Sequence, residues 1–239
     1  MRYWLVMPAA GAGQRFGAAL PKQYAVLEGR TVIEWALAPF LADGRCQGVV
    51  VALAAGDAHF PRSALPERVR TTSGGAARST SVRAALELLA ARAAGEDWVL
   101  VHDAARPCLQ ALDLGRLLDA LADDPVGGLL AARVHETLKR ETGDGRGLAV
   151  AARTEERAGL WRALTPQMFR FAALCAALDE AHAAGRFPSD EAQALEWRGA
   201  QPRLIEGSAA NLKITTAQDL ELAAALLRTR RAPAPGETR

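Results

Sequence analysis

The hydrophobic and polar positions of this chain form short apolar runs separated by longer stretches with helical periodicity. Apolar runs of strand length occupy 3–7, 48–53, 98–102 and 128–134. Runs that are apolar at nearly every position are typical of strands covered on both faces. The pattern therefore predicts an α/β fold with a mostly parallel sheet between two layers of helices.

The helical stretches carry start and stop signals. Thr31 with Glu34 three residues later predicts a capping box, and this first helix should stop at Asp43 and Gly44. Thr216 with Asp219 predicts a similar cap for the last helix. The other predicted helices span 80–95, 112–122 and 171–184.

Two regions depart from this alternation. In 135–153, polar and glycine residues separate TLKR from LAVAAR, which predicts a hairpin that projects from the domain. A lone hairpin cannot bury both faces, so we expect it to pack against a second subunit. The segment 230–239 has proline, glycine and charge, which predicts a disordered tail. We therefore predict a single domain over 1–229 that includes the hairpin.

Composition narrows the possible functions. The 239 residues, half of them hydrophobic, suffice for one substantial core. A net charge of +2 gives no global field for nonspecific nucleic-acid binding, so any anion site must be local. Three scattered cysteines suit a reducing cytoplasm, and no segment is typical of a signal peptide or a membrane span. We expect a cytoplasmic protein with neither a membrane nor a nucleic-acid partner.

A glycine-rich segment, PAAGAGQRFGAALPKQY, follows the first predicted strand at 8–24. Loops that leave parallel strands open at the ligand-binding edge, and Gly11, Gly13 and Gly17 would let backbone N–H groups approach phosphate oxygens. The spacing matches neither the dinucleotide fingerprint nor the P-loop, and a tight turn explains three glycines alone. Arg15 and Lys22 favour the phosphate interpretation, especially since only three of the 29 basic residues are lysines.

Seven segments in order resemble one known family, the 2-C-methyl-D-erythritol 4-phosphate cytidylyltransferases of the nonmevalonate isoprenoid pathway. The resemblance covers nearly the whole chain and implies a Rossmann-like nucleotidyltransferase fold. The matching segments are PAAGAGQRFG with PKQY (8–24), GGAARSTSV (74–82), VHDAARP (101–107), TLKR (137–140), LWRALTPQMF (160–169), SDEAQALE (189–196) and NLKIT (211–215).

The resemblance implies transfer of CMP from CTP to 2-C-methyl-D-erythritol 4-phosphate, with release of pyrophosphate. Because the attacking phosphate oxygen is already anionic, the chemistry needs cations and N–H donors rather than a strong base. Arg15, Lys22 and Lys213 are the implied catalytic residues. The implied nucleotide-binding residues are Pro8, Ala9, Ala10, Gly11, Ala12, Gly13, Gly74, Gly75 and Ser81.

For the acceptor, the resemblance implies contacts from several parts of the chain. Thr137 and Arg157 would grip its phosphate from the hairpin of a neighbouring subunit, so we expect a homodimer with a shared site. The remaining implied acceptor contacts are Asp103, Arg106, Thr165 and Lys213. We expect Mg²⁺ or another divalent cation, held mostly by CTP phosphates with Asp103 as the candidate protein ligand, because triphosphate oxygens favour a hard cation.

Several alternatives stay open. Asp103 and Arg106 could be a plain ion pair at a strand end, and Ser79 or Thr80 could simply cap a helix. Arg153 and Arg162 compete with Arg157 as the phosphate cation. Glu136 and Ala210 depart from residues common in the family.

Two other functions compete with the implied one. One is a cytidylyltransferase for another polyol phosphate such as ribitol 5-phosphate. The other is a non-catalytic nucleotide-binding homologue, which the presence of Arg15, Lys22 and Lys213 disfavours.

Overall fold

A seven-stranded sheet forms the centre of the molecule. The computed structural model describes residues 1–11, 20–143 and 147–231. Its strands span Tyr3–Ala9 (β1), Cys46–Leu53 (β4), Val69–Ser73 (β5), Trp98–Val101 (β6), Gly127–Arg133 (β7), Trp161–Arg170 (β10) and Arg203–Glu206 (β11). They lie side by side in the order β11-β7-β10-β6-β1-β4-β5.

The sheet is mostly parallel, as the apolar pattern predicts. β1 pairs in parallel with β4 and β6, and β4 with β5. The exception is β10, which runs antiparallel between β6 and β7. The apolar pattern did not predict β5, β10 or β11, because their residues are mixed with polar and charged ones.

Helices cover both faces of the sheet. They span Val32–Ala42 (α1), Arg78–Leu89 (α2), Ala111–Leu121 (α3), Phe171–Ala183 (α4), Glu191–Glu196 (α5) and Ala217–Arg231 (α6). On β1, Leu5 and Met7 face the core beneath α1 and α3, while Trp4 and Val6 face the core beneath α2 and α4. Alternate side chains of one strand therefore enter two cores, which explains why that strand is apolar throughout.

The predicted helix signals are largely confirmed. The Thr31 side chain accepts from the Glu34 N–H, and the Glu34 carboxylate accepts from the Thr31 N–H at 2.7 Å, which completes the capping box. Asp219 likewise accepts from the Thr216 N–H at 2.8 Å. The second helix was predicted too long, since α2 ends at Leu89. Beyond it the N–H of Ala94 donates to the Asp97 carboxylate at 3.0 Å instead of continuing the helix.

A two-stranded hairpin stands apart from the central sheet. Its antiparallel strands are β8 (Leu138–Gly143) and β9 (Ala149–Glu155), and we call this hairpin, 138–155, the arm. The prediction of a hairpin is confirmed, although it ends two residues later than 153. A smaller hairpin joins β2 (Val26–Leu27) and β3 (Arg30–Thr31) just before α1.

The predicted disordered tail began too early. Arg230 and Arg231 belong to α6, where the helical pattern of apolar positions continues through Leu227. The rest of the predicted tail, 232–239, lies outside the described residues. Among those that are described, no helix combines the length and apolar character needed to cross a membrane.

Candidate active site

A pocket of about 350 Å³ opens at the carboxyl edge of β1 and β6. The residues around it come from five separate segments (8–11, 22–23, 75–81, 103–105 and 213) that meet where these parallel strands end. Of the residues predicted for a site, the pocket is lined by Pro8, Ala9, Ala10, Gly11, Lys22, Gly75, Ser81, Asp103 and Lys213. The prediction did not single out six more, namely Gln23, Ala76, Ala77, Arg78, Ala104 and Ala105. Ala12, Gly13 and Arg15 lie outside the described residues.

The start of the glycine loop is held by a buried amide. Gln23 lies in a short 3₁₀ turn with Lys22, and its Nε2 donates to the Ala9 carbonyl at 2.9 Å and the Gly11 carbonyl at 3.5 Å. Engaging these carbonyls fixes the backbone where β1 ends. The PKQY segment therefore contributes both a cation at the pocket, Lys22, and the support for the loop beside it.

On the opposite wall, a second glycine pair requires the absence of side chains. A Cβ on Gly74 would come within 2.5 Å of the Ala10 Cβ, and one on Gly75 would come within 2.3 Å of the Thr80 Oγ1. The Ser81 hydroxyl accepts from the Gly75 N–H at 3.1 Å and lies 3.1 Å from the Ala77 carbonyl as a donor. Ser81 thus lines the pocket and also shapes the loop before α2.

The alternative that Ser79 or Thr80 caps α2 is wrong in its detail. The residue at the N-cap position is Ala77, which has no side chain that could cap. Thr80, one turn inside, reaches back and accepts from the Ala77 N–H at 3.0 Å. Ser79 instead lies 3.0 Å from the imidazole of His182 on α4.

Asp103, just past β6, is a buried carboxylate surrounded by cations. Its Oδ1 lies 2.9 Å from the Arg78 Nε, and its Oδ2 lies 2.9 Å from the Lys213 Nζ and 3.4 Å from the Arg106 Nε. Burial alone would raise the pKa of Asp103, but Arg78, Lys213 and Arg106 together hold it well below its usual range. Asp103 is therefore ionised, and the predicted Asp103–Arg106 pair is confirmed as part of a larger cluster.

Lys213 is positioned by its own loop. The Asn211 carbonyl accepts from the Arg106 Nη1 at 2.8 Å, and the Ile214 N–H donates to the Ala105 carbonyl at 2.8 Å. These bonds tie the NLKIT segment to the turn after β6 on both sides of Lys213. Its side chain remains 40% exposed, so the ammonium reaches both Asp103 and the pocket.

Thr165, a predicted acceptor contact, does not belong to the residues that line the pocket. It is buried on β10, where its hydroxyl accepts from the Asp103 N–H at 3.1 Å and lies 2.9 Å from the His102 Nδ1. The His102 Nε2 lies 3.1 Å from the Arg106 carbonyl, which can only accept, so Nε2 carries the proton. Burial lowers the pKa of His102 to about 4, and its ring is neutral at pH 7. This network fixes the turn that presents Asp103.

Arg106 is also absent from the pocket lining, because its guanidinium is turned toward Asp103 and the Asn211 carbonyl. Gly74 likewise lies behind the lining, in contact range of Ala10 and Ser81. Both residues lie behind the lining residues and shape the site from there.

Arg78 and Glu191 are the most informative residues that sequence reasoning missed. The Arg78 guanidinium joins Asp103 to Glu191, which accepts from Nη1 at 2.6 Å and from Nη2 at 3.0 Å. Both residues stand in segments that carried the family resemblance, GGAARSTSV and SDEAQALE. The available signal in the sequence was the glutamate Glu191 within the alanine-containing stretch EAQALE.

Thr137 and Arg157, the predicted phosphate grip, are not brought to this pocket. Both are exposed near the base of the arm, where Arg157 donates to the His135 carbonyl. They do not belong to the lining residues. In the described part of the chain, most of the residues predicted for the nucleotide therefore meet at the pocket, whereas Thr137 and Arg157 do not.

The described residues do not form a dedicated metal cage. No group of three or more His, Cys, Asp or Glu side chains with suitable placement occurs in the described part of the chain. The carboxylate at the pocket, Asp103, already has an ion pair on each oxygen. Any divalent cation here would need most of its ligands from a bound molecule or water.

Comparison with known proteins settles the family. The family model described as 2-C-methyl-D-erythritol 4-phosphate cytidylyltransferase matches residues 3–229. The chain belongs to this family. It is therefore a nucleotidyltransferase enzyme, and the alternative of a non-catalytic homologue is not supported.

Individual members of the family are similar to this chain over nearly their whole length. A relative of that description from Ectopseudomonas mendocina is 54% identical over 92% of this chain and 93% of its own. Another from Halorhodospira halophila is 52% identical over 97% and 96%. The crystal structure of the Francisella tularensis 2-C-methyl-D-erythritol 4-phosphate cytidylyltransferase superposes with a TM-score of 0.79, at 33% identity, over 95% of this chain and all of that one. The α/β fold is thus confirmed as that of the cytidylyltransferase family.

Proposed function

We propose that this pocket transfers CMP from CTP to 2-C-methyl-D-erythritol 4-phosphate, giving 4-diphosphocytidyl-2-C-methyl-D-erythritol and pyrophosphate. Family membership supports the reaction. The observation that carries the assignment to this pocket is that Lys22, Lys213, the ionised Asp103 and the start of the glycine-rich segment, 8–11, line the same pocket. The relatives from Ectopseudomonas mendocina and Halorhodospira halophila both carry the methylerythritol phosphate description, which favours this acceptor over ribitol phosphate.

The chemistry requires charge compensation above all. A phosphate oxygen of the acceptor attacks the α-phosphorus of CTP, a new P–O bond forms, and the bond to the bridging oxygen breaks so that pyrophosphate leaves. The acceptor oxygen is already anionic, so no side chain has to remove a proton. Lys22 and Lys213 lower the repulsion between the two anions and stabilise charge on the α-phosphoryl oxygens. The predicted role of Arg15 in the same task stays a prediction.

The cytosine is assigned to the wall formed by the loop before α2. Gly75 and Ser81 line the pocket there, and Gly74 packs behind them against Ala10. Backbone groups of this loop can approach a base edge closely because neither glycine has a side chain. We expect contacts of this kind to favour a pyrimidine over a purine.

We propose that Mg²⁺ arrives with the triphosphate rather than in a protein cage. The ion is a Lewis acid that neutralises phosphate charge when bound. Triphosphate oxygens and water supply its ligands, because both Asp103 oxygens are engaged by Arg78 and Lys213. Direct ligation by Asp103 would require one of these ion pairs to open.

We further propose a homodimer in which the arm of one subunit completes the site of the other. Thr137 and Arg157 are exposed and outside the pocket of their own chain. Leu148 and Val150 on the arm are apolar yet 71% and 44% exposed. An exposed two-stranded hairpin with apolar residues is the kind of surface that a second copy covers.

The free cysteines Cys46, Cys108 and Cys175 support a location in the reducing cytoplasm.

A coupled pyrophosphate assay with CTP and Mg²⁺ tests the proposed function. We expect 2-C-methyl-D-erythritol 4-phosphate to be the best acceptor in a panel of sugar and polyol phosphates, and CTP to be preferred over ATP and GTP. Equal or faster turnover with ribitol 5-phosphate, or with a purine nucleotide, would overturn the assignment.

A further inference from the structure

The Arg78 guanidinium holds the Asp103 carboxylate at the pocket, and the Glu191 carboxylate in turn holds the Arg78 guanidinium. Arg78, in the first turn of α2, has Nε on the Asp103 Oδ1 at 2.9 Å and its two terminal nitrogens on the Glu191 oxygens at 2.6 and 3.0 Å. All three nitrogens of the guanidinium are thereby oriented. Only a planar fork can bridge two carboxylates in this way, because a lysine ammonium has a single nitrogen.

Glu191 has no access to a ligand in this arrangement. It is 1% exposed at the start of α5 and does not belong to the pocket lining. Burial raises the pKa of Glu191, and the charge of Arg78 opposes that shift. A buried carboxylate is thus retained at an energetic cost although apolar residues of similar volume are often as stabilising as a buried ion pair. This cost calls for a role other than stability.

The role that fits the geometry is orientation. With the Asp103 Oδ1 engaged by Arg78, the Oδ2 is directed toward Lys213, whose Nζ lies 2.9 Å away. The connected series Glu191, Arg78, Asp103, Lys213 therefore runs from the protein interior to the pocket surface. Each member fixes the next, and only the last three line the pocket.

We propose that Arg78 and Glu191 are positioning residues of the transfer reaction, which set the Asp103 carboxylate and, through it, the Lys213 ammonium for the incoming acceptor. This inference rests on the proposed function. Arg78 acts through Asp103, and Glu191 acts through Arg78. Neither has to touch the reacting phosphates, since a displacement of about 1 Å at supporting residues can cost on the order of 100-fold in rate.

The variants Glu191→Gln and Arg78→Lys test the proposal. Gln keeps the volume of Glu191 but removes its charge, and Lys keeps the charge of Arg78 but removes the fork. For both, we expect the KM for the acceptor to rise roughly 10 to 100 fold, with a lower kcat, while the KM for CTP changes less than about threefold. A purely structural role would lower the fraction of active enzyme, so kcat would fall with both KM values unchanged. That result, or wild-type kinetics, would overturn the proposal.

Arg83→Lys is the matched control. Arg83 lies on the same helix and forms an equivalent fork, with Nε and Nη2 on the Asp179 carboxylate at 2.6 and 3.2 Å, but that pair is on the surface. We expect its kinetics to stay within about twofold of wild type. Thermal melting of all variants identifies any that fail to fold. If Glu191→Gln fails to fold, the kinetics of Arg78→Lys alone test the proposal.

A double-mutant cycle tests whether Arg78 acts on acceptor binding through Asp103. Acceptor binding is measured by calorimetry in the presence of a non-hydrolysable CTP analogue. In an Asp103→Asn background, Arg78→Lys should weaken this binding by less than about threefold, because the residue through which it acts is already altered. An undiminished effect in that background would show that Arg78 acts independently and would overturn the proposal. Wild-type turnover is measured in parallel, and its absence would instead contradict the proposed function.

Discussion

The pocket and the arm use charge in opposite ways. Around the pocket, Asp103 and Glu191 are buried and paired with Arg78, and a hydrogen-bonded network behind them fixes their orientation. On the arm, the exposed side chains of Arg140 and Arg153 pair with Glu155 at the protein surface, where such ion pairs contribute little to stability. Among the described residues, preorganised charge thus surrounds the pocket within one chain. Thr137 and Arg157, the residues predicted to bind the acceptor phosphate, lie outside that pocket, and in the proposed homodimer the arm of the partner would supply them.

The largest expected effect concerns the pocket. Lys213→Met removes the ammonium beside Asp103 and keeps most of the side-chain volume. Loss of one preorganised electrostatic contact should lower kcat on the order of 100 to 1,000 fold. Steady-state pyrophosphate release measures the change. Thermal melting serves as the control for folding, and a folded variant with kcat within threefold of wild type would contradict the role of Lys213.

A second, intermediate effect is a pH dependence of stability that originates behind the pocket. Burial lowers the pKa of His102 to about 4 in the folded protein, whereas an unfolded histidine titrates near 6.5. Between these values the unfolded chain binds more protons, so stability is lost as the pH falls. The loss attributable to His102 should be about 2 kcal/mol between pH 7 and pH 5.

Urea unfolding of wild type and His102→Gln at both pH values and one protein concentration measures this contribution. Titrating groups common to both proteins cancel in the difference. The variant should be less stable at pH 7, since Gln cannot reproduce both contacts to Thr165 and Arg106. Its stability should fall by about 2 kcal/mol less than that of wild type on acidification. Parallel pH curves for the two proteins would refute this explanation.

The sequence predicted most of the elements that surround the pocket, and for a physical reason. β1, β4, β6 and β7 are buried on both faces, so their apolar runs are unmistakable. By contrast, β5 and β11 lie at the two edges of the sheet and β10 carries arginine and glutamine, so no apolar pattern marked them. Strand signals weaken where one side of a strand meets solvent or a polar site.

Some of the residues that line the pocket could be identified from the sequence, and others could not. Lys22 was identified as one of only three lysines, beside a glycine-rich segment, whereas Lys213 and Asp103 were identified through the resemblance of their segments to the family. Arg78 and Glu191 were missed because their roles depend on a contact between residues 113 positions apart. Thr165 was assigned to the acceptor, yet its hydroxyl supports the Asp103 turn. Spacing along a chain cannot distinguish a side chain that faces a ligand from one that holds its neighbour.

The smallest expected effect sharpens the contrast between pocket and arm. Arg157→Ala removes an exposed guanidinium near the base of the arm and should raise the KM for the acceptor roughly tenfold, since a charged hydrogen bond to phosphate would be lost. The KM for CTP should not change. Arg153→Ala, which removes an exposed arginine of the arm paired with Glu155, is the matched control and should have little effect.

Mixing the two kinds of variant tests whether the arm serves the partner's pocket. Lys213→Met and Arg157→Ala protomers, refolded together in equal amounts, form mixed dimers in about half of all cases. If each site combines one chain's pocket with the other's arm, a mixed dimer holds one site with both defects and one intact site. At an acceptor concentration well below KM, the mixture should then recover about a quarter of wild-type activity. Activity no higher than the average of the two parents would instead place pocket and arm of the same chain in one site.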